Sequence, residues 1–231
     1  MYRSIYGNLL NKASRLEEVR KSTFAVKKNR VWLPDIAISR DPGSGGRVVA
    51  EMVAEKLGWK LYDKQFLVEL SRELGIPEKE FANIDEHPRG WVIDLLQSIF
   101  NPNYISDTTY LRHLGKLIVQ AGKTQQIVLL GRGAGFLLPS DKCLRVRVTA
   151  PFTSRVVNTM KYEGKTRFEA EDWVRKVQAK RDRFIRQYFG RTARWVSNYD
   201  VVVNTEYLNL QAARDVIIAA YYCKFPEIRR K

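Results

Sequence analysis

The chain has little of what metal and redox sites are built from. Its 231 residues include two cysteines and two histidines. Cys143 and Cys223 have no metal-ligand spacing, and so few cysteines suggest a reducing compartment without disulfides. His87 and His113 lie far apart with no H-E-x-x-H pattern, so both are read as structural or surface residues. No stretch approaches the roughly 18 uncharged apolar residues of a membrane span. The N-terminus also lacks the continuous apolar core of a secretory signal. A soluble, cytoplasmic protein is expected. Acidic residues are the other shortage: 25 Asp+Glu face 40 Lys+Arg, a net charge of +15. Such an excess predicts an anionic partner, whether nucleotide, nucleic acid or membrane surface.

The excess is unevenly spread. Residues 1–30 hold eight basic and two acidic residues, and residues 155–194 hold twelve and five. The first stretch reads as a basic arm. Its Ile5, Leu9, Leu10, Ala13, Leu16 and Val19 recur as a weak amphipathic helix. Glu17 and Glu18 favour packing over attachment to anionic lipid. The rest, residues 31–231, is long enough for one domain with insertions.

Within it, short apolar runs alternate with helical patterns. Strands are expected at Asp35–Ser39, Trp59–Tyr62, Gln126–Leu130, Leu144–Val148 and Val201–Val203. Val49, Met52, Val53 and Leu57 recur at helical spacing up to Gly58. Further helices are expected over Lys64–Leu74, much of 78–122, a long basic stretch from Phe152 to about Tyr188, and Leu210–Tyr222. Alternation of this kind predicts an α/β fold with a mostly parallel sheet and helices on both faces. Ligands of such sheets lie beyond the carboxyl ends of the strands, so the residues there are the site candidates.

Beyond the first strand comes Ser39-Arg40-Asp41-Pro42-Gly43-Ser44-Gly45-Gly46-Arg47, with a helix starting at once. A glycine run alone is equally a hairpin or a link. Between a strand and a helix start it becomes a phosphate cradle, because free N–H groups and the helix dipole converge there. The usual pattern is G-x-x-x-x-G-K-[ST]. Aligned on Gly46, this chain has Asp41 for the first Gly, Arg47 for Lys and Val48 for the hydroxyl residue. Arg47 keeps the charge with a different geometry. Val48 cannot ligate Mg²⁺, and Ser39, Ser44 and Asp41 carry the nearest oxygens. Beyond the second strand, Asp63 reads either as a residue that positions an acceptor or as a helix N-cap. Beyond the third, Gly131-Arg132-Gly133 lets Arg132 approach a phosphate, or is a surface turn. The series Arg155, Arg175, Arg181, Arg183, Arg186, Arg191 and Arg194 reads as a solvated helix face or as a mobile cationic lid. Asp182 is placed to pair with Arg186 at i,i+4.

These motifs, with Leu61-Tyr62-Asp63-Lys64, Arg181-Asp182-Arg183 and Ser197-Asn198-Tyr199-Asp200-Val201-Val202-Val203-Asn204-Thr205, stand in one order over about 33–222. In that order the chain resembles the cytidylate kinase-like family, a branch of the nucleoside-monophosphate kinases among P-loop NTPases. The resemblance implies a three-layer α/β/α fold, a helical acceptor-binding insertion near 75–122 and an arginine-rich lid near 164–194. It implies transfer of the ATP γ-phosphoryl, with Mg²⁺, to CMP, dCMP or a related small acceptor. By position it assigns Ser39, Arg40 and Gly43–Arg47 to the donor phosphates and Asp63 and Arg132 to the acceptor. Arg47, Arg181, Arg183 and Arg186 become catalytic. Family members read G-R-D after the third strand and R-D-x-R-D in the lid; this chain has Gly133 and Ile185 at those two acidic positions. Two rival expectations remain: a catalytically weak nucleotide- or phosphate-binding regulatory module, and a nucleic-acid binder. The sequence leaves the Mg²⁺ ligand and the oligomeric state unassigned.

Overall fold

A computed structural model describes residues 14–19, 21, 33–63, 115, 118 and 126–228. His87, His113, the helix expected over Lys64–Leu74, nearly all of the 75–122 insertion and most of the arm lie outside the described residues. Five strands form one sheet: β1 (Asp35–Arg40), β2 (Lys60–Tyr62), β3 (Ile127–Leu130), β4 (Cys143–Thr149) and β5 (Val201–Asn204). Their order is β2-β3-β1-β4-β5. All four pairings are parallel, with Ile38 opposite both Leu130 and Val146.

Parallel strands covered on both faces need apolar side chains in both directions. β1 meets this by alternation. Ile36 and Ile38 point into a cluster with helix α1 (Gly46–Leu57), and Ala37 points into the other cluster. α1 buries Val49, Ala50, Val53 and Ala54 on one stripe and ends at Gly58. Beside it, helix α5 (Leu210–Lys224) contributes Ala213, Ile217 and Tyr221 to the same layer. The opposite layer holds the short helix α2 (Ala134–Leu137), the aromatic pair Tyr188 and Phe189, and Leu16 and Val19 of helical residues 14–19. That stretch of the basic arm therefore packs into the domain core.

The basic region is two helices, not the single stretch expected. α3 (Phe152–Glu163) stops at Gly164, which adopts a left-handed conformation. α4 (Arg167–Phe189) restarts after a reciprocal capping box between Thr166 and Glu169. The cap satisfies amides that continuous helix would have left to a preceding turn. α3 and α4 thus form a hairpin whose stem stands over the carboxyl ends of β1, β3 and β4. Both cysteines are free thiols, Cys143 buried and Cys223 exposed. Among the described residues no helix is long and apolar enough to cross a membrane.

Candidate functional site: a phosphate-type cradle and a guanidinium cluster

β1 delivers its chain directly into the glycine turn, and α1 begins at Gly46. The N-cap is Gly45, in a left-handed conformation with no side chain capping the helix and no acidic residue in the first turn. Among the described residues, the N–H groups of Gly45, Gly46 and Arg47 have no hydrogen-bond acceptor. Uncapped amides at the positive end of a helix dipole fit an anion.

The turn is fastened from beneath. Asp41 is almost fully buried, and its two oxygens accept from Arg147 Nη2 and Thr149 Oγ1, both at 2.6 Å. Arg147 Nη1 donates to the Ala193 carbonyl at 2.6 Å, to which Tyr199 also donates. The residue that replaces the first loop glycine is therefore a structural anchor. Ser44, 1% exposed, donates to the carbonyls of Asp41 and Val148. From α3, Asn158 Nδ2 reaches the Gly43 carbonyl at 3.0 Å, and Thr205 after β5 reaches that of Ser44 at 2.9 Å.

Two of the three oxygens considered for Mg²⁺ are thus committed: Asp41 to Arg147 and Thr149, Ser44 to backbone. Val48 is exposed and apolar. The described residues contain no cluster of three or more metal-ligating groups. ATP phosphates fit the open amides; the donor set near the loop does not fit a protein-held Mg²⁺.

Next to the loop lies a cavity of about 720 Å³, lined by Ser39 and Arg40, by Gly131, Arg132 and Gly133 after β3, and by α4 residues including Arg181 and Arg183. Arg40, assigned by position to the donor phosphates, sends its guanidinium into this cavity. It lies so close to Gly131 that a Cβ there would collide with it. The guanidinium makes no hydrogen bond among the described residues. Burial, together with the charges of Arg181 and Arg132, pushes its pKa down to about 9. Arg181 is also lowered, chiefly by burial, and its Nη1 donates to the Arg40 carbonyl at 2.9 Å. Arg132 stands over the Phe184 ring with φ of 54°, a left-handed conformation that non-glycine residues rarely adopt. Three guanidiniums held this close, with Asp63 and Asp41 only partly offsetting their charge, form a strong anion site.

Arg47, in the first turn of α1, meets Asp63, just beyond β2, with Nη2 2.8 Å from Oδ2. Arg47 also holds Glu51 at 3.0 Å. The loop cation is therefore already paired with two carboxylates. Arg183 is exposed and borders the cavity on both sides of α4. Arg186 does not join Arg40, Arg132 and Arg181. It faces a second cavity with Phe152, Arg155, Arg175 and Arg194. The expected Asp182–Arg186 pair is absent: Asp182 takes two bonds from Arg194 and one from Gln178. The chain folds back after Gly190, and the planar fork of Arg194 outcompetes a neighbour on the same helix.

Gly133 and Ile185, at the two acidic positions of the family pattern, are packing positions here. A Cβ on Gly133 would enter the Phe189 ring, and Ile185 is buried in the same aromatic cluster. Sequence reasoning missed Arg147, Thr149 and Tyr199 as supports of the loop. The available signal was an arginine inside an apolar strand together with an aspartate where the loop pattern has glycine.

The strand order, the glycine turn and the helix hairpin over the strand ends define an α/β P-loop fold of the kinase-like class. The chain belongs to the cytidylate kinase-like family, whose sequence profile matches residues 35–207. The fold is similar to that of an uncharacterized protein from Eubacterium ventriosum, with a TM-score of 0.57 and 21% identity over 81% of this chain and 98% of that one. Weaker similarities are TT1252 from Thermus thermophilus (TM-score 0.46, 19% identity, 81% and 97% covered) and a shikimate kinase from Acinetobacter baumannii in complex with shikimate (0.43, 16%, 89% and 98%). No curated protein matches the chain. Family membership supports a nucleotide kinase-like phosphotransferase and, in general, the use of ATP and a metal.

Proposed function

We propose that the protein transfers the γ-phosphoryl group of ATP to a small anionic acceptor, with CMP and dCMP the first candidates. The observation that carries this reading is the cavity beside the loop lined by Arg40, Arg132 and Arg181, together with the uncapped start of α1 at Gly45. Phosphoryl transfer needs little covalent help from a protein. It needs positioning and positive charge on the equatorial oxygens of the group in flight. In this reading the amides hold the donor's terminal phosphates. Arg181, bonded to the Arg40 carbonyl, ties the lid to the loop and faces the transferred group. Arg132 and Arg40 hold the acceptor's own anionic group, and Asp63 orients the acceptor. The hairpin of α3 and α4 excludes water from the reacting atoms.

The acceptor is selected without the two acidic residues of the family pattern, so base selection falls to other residues. ADP release from ATP with each common nucleoside monophosphate tests the reading. Turnover with one of them is expected, and Arg181→Ala should cut kcat about 10²-fold, more than it raises the nucleotide KM. Nucleotide binding without turnover on any acceptor would favour the regulatory-module reading. The Arg47–Asp63 pair is the observation on that side, because a cation already matched by a carboxylate leaves less net charge for a transferring phosphoryl group.

A further inference from the structure

A P-loop usually neutralises its phosphates with a lysine and a Mg²⁺ ion carried by the next hydroxyl. Mg²⁺ asks for a near-octahedral set of oxygens, typically water, phosphate and one or two carboxylates. Among the described residues, the carboxylates of Asp41, Glu51, Asp63 and Asp182 around this loop are engaged. Asp41 is locked beneath the turn by Arg147 and Thr149. Asp182 is held by Arg194 and Gln178. Glu51 and Asp63 both sit on Arg47, at 3.0 and 2.8 Å. The hydroxyl position is Val48, and the turn after β3 has no room for an acid because Phe189 covers Gly133.

The electrostatics run the same way. Arg40, Arg132 and Arg181 lie close enough for the last two to lower the pKa of the first. A divalent cation brought beside three guanidiniums in a partly buried site meets repulsion at short range. A phosphate there already finds the charge-assisted donors that Mg²⁺ would otherwise replace. Arg47 is itself a cation between two carboxylates. Turned towards the amides, its fork can span from Asp63 to a phosphate oxygen.

We infer that this site binds its polyphosphate ligand free of divalent metal, with Arg47, between Glu51 and Asp63, in the place of the ion. This rests on the phosphate-binding reading above, but not on any particular acceptor. It adds that the ligand class is the metal-free di- or triphosphate anion.

The test is calorimetric titration of the full chain with ATP and with inorganic pyrophosphate. Each is run in EDTA and in excess Mg²⁺ at matched ionic strength, since screening alone changes phosphate affinity. The wild type should bind in EDTA at least as tightly as in Mg²⁺. Arg47→Gln removes the cation between Glu51 and Asp63. It should weaken binding in EDTA about tenfold and restore part of it when Mg²⁺ is added. Val48→Thr, at an exposed position, returns the missing hydroxyl and should shift the preference towards Mg²⁺. Wild-type binding about tenfold weaker in EDTA than in Mg²⁺ overturns the inference and leaves the phosphate-binding reading intact. If neither probe binds under either condition, the reading itself falls and takes the inference with it.

Discussion

The turns after β1 and β3 both combine glycines with an arginine, yet they are built in opposite ways. After β1 the backbone is open and the arginine is occupied: the amides of Gly45–Arg47 have no described acceptor, while Arg47 holds Glu51 and Asp63. After β3 the backbone is covered and the arginine is open. Phe189 lies on Gly133, while Arg132, among the described residues, has the Phe184 face beneath it and two more guanidiniums beside it. One turn offers dipoles and the other offers charge. The comparison shows why glycine-arginine spacing alone does not say which atoms will meet a ligand.

The strongest way to break the first turn is from below. Arg147→Ala leaves Asp41 as an uncompensated buried charge, and a loss of about 3–5 kcal/mol is expected in urea unfolding. The second turn breaks from above. Gly133→Ala forces a Cβ into the Phe189 ring at a φ of 70°, and about 3 kcal/mol should be lost in the same assay. Removing the charge of the second turn gives the next largest effect. Arg132→Ala should weaken pyrophosphate binding about tenfold with little change in unfolding midpoint.

A pH titration sharpens the contrast further. The Arg40 guanidinium, held down to about 9, is charged below that value and neutral above it. Phosphate affinity should therefore stay level to about pH 8 and fall as the pH rises through 9; in Arg40→Met that fall should be absent. The smallest effect belongs to Arg186→Ala. It lies on the far face of α4, and stability and pyrophosphate affinity should both stay within about 0.5 kcal/mol of wild type.

Much of the architecture was legible because parallel strands buried on both faces write themselves as apolar runs. β1, β3 and β5 were placed to within a residue on that signal. The break at Gly164 was also written in the chain, as a glycine followed by Thr166 and Glu169 in capping-box spacing. It was missed because the basic residues continue unbroken across it. The glycine turn could be recognised from its place between a strand and a helix.

The anchoring of Asp41 by Arg147 could not be read, because it depends on β4 lying beside β1. Nor could the direction of the Arg40 side chain. Its backbone belongs to the loop, and only the close approach to Gly131 shows that its guanidinium serves the neighbouring cavity. The Asp182 pairing went astray for a related reason. Helical spacing names the near neighbours of a side chain, whereas the winning partner, Arg194, arrives from beyond the end of the helix.

The three fastenings of the helix hairpin have a mechanical consequence. Asn158 holds the Gly43 carbonyl, Arg181 holds the Arg40 carbonyl, and Arg147 holds the carbonyl of Ala193 just past α4. Asn158 lies midway along α3, and the other two lie nearer the base of the hairpin. The tip around Gly164 carries Tyr162 and Phe168 into solvent. A beam clamped at its root does not swing like a door; it flexes along its free length. What such a root permits is a short bending of the tip, and one of its clamps, Arg147, is the arginine that seats the loop.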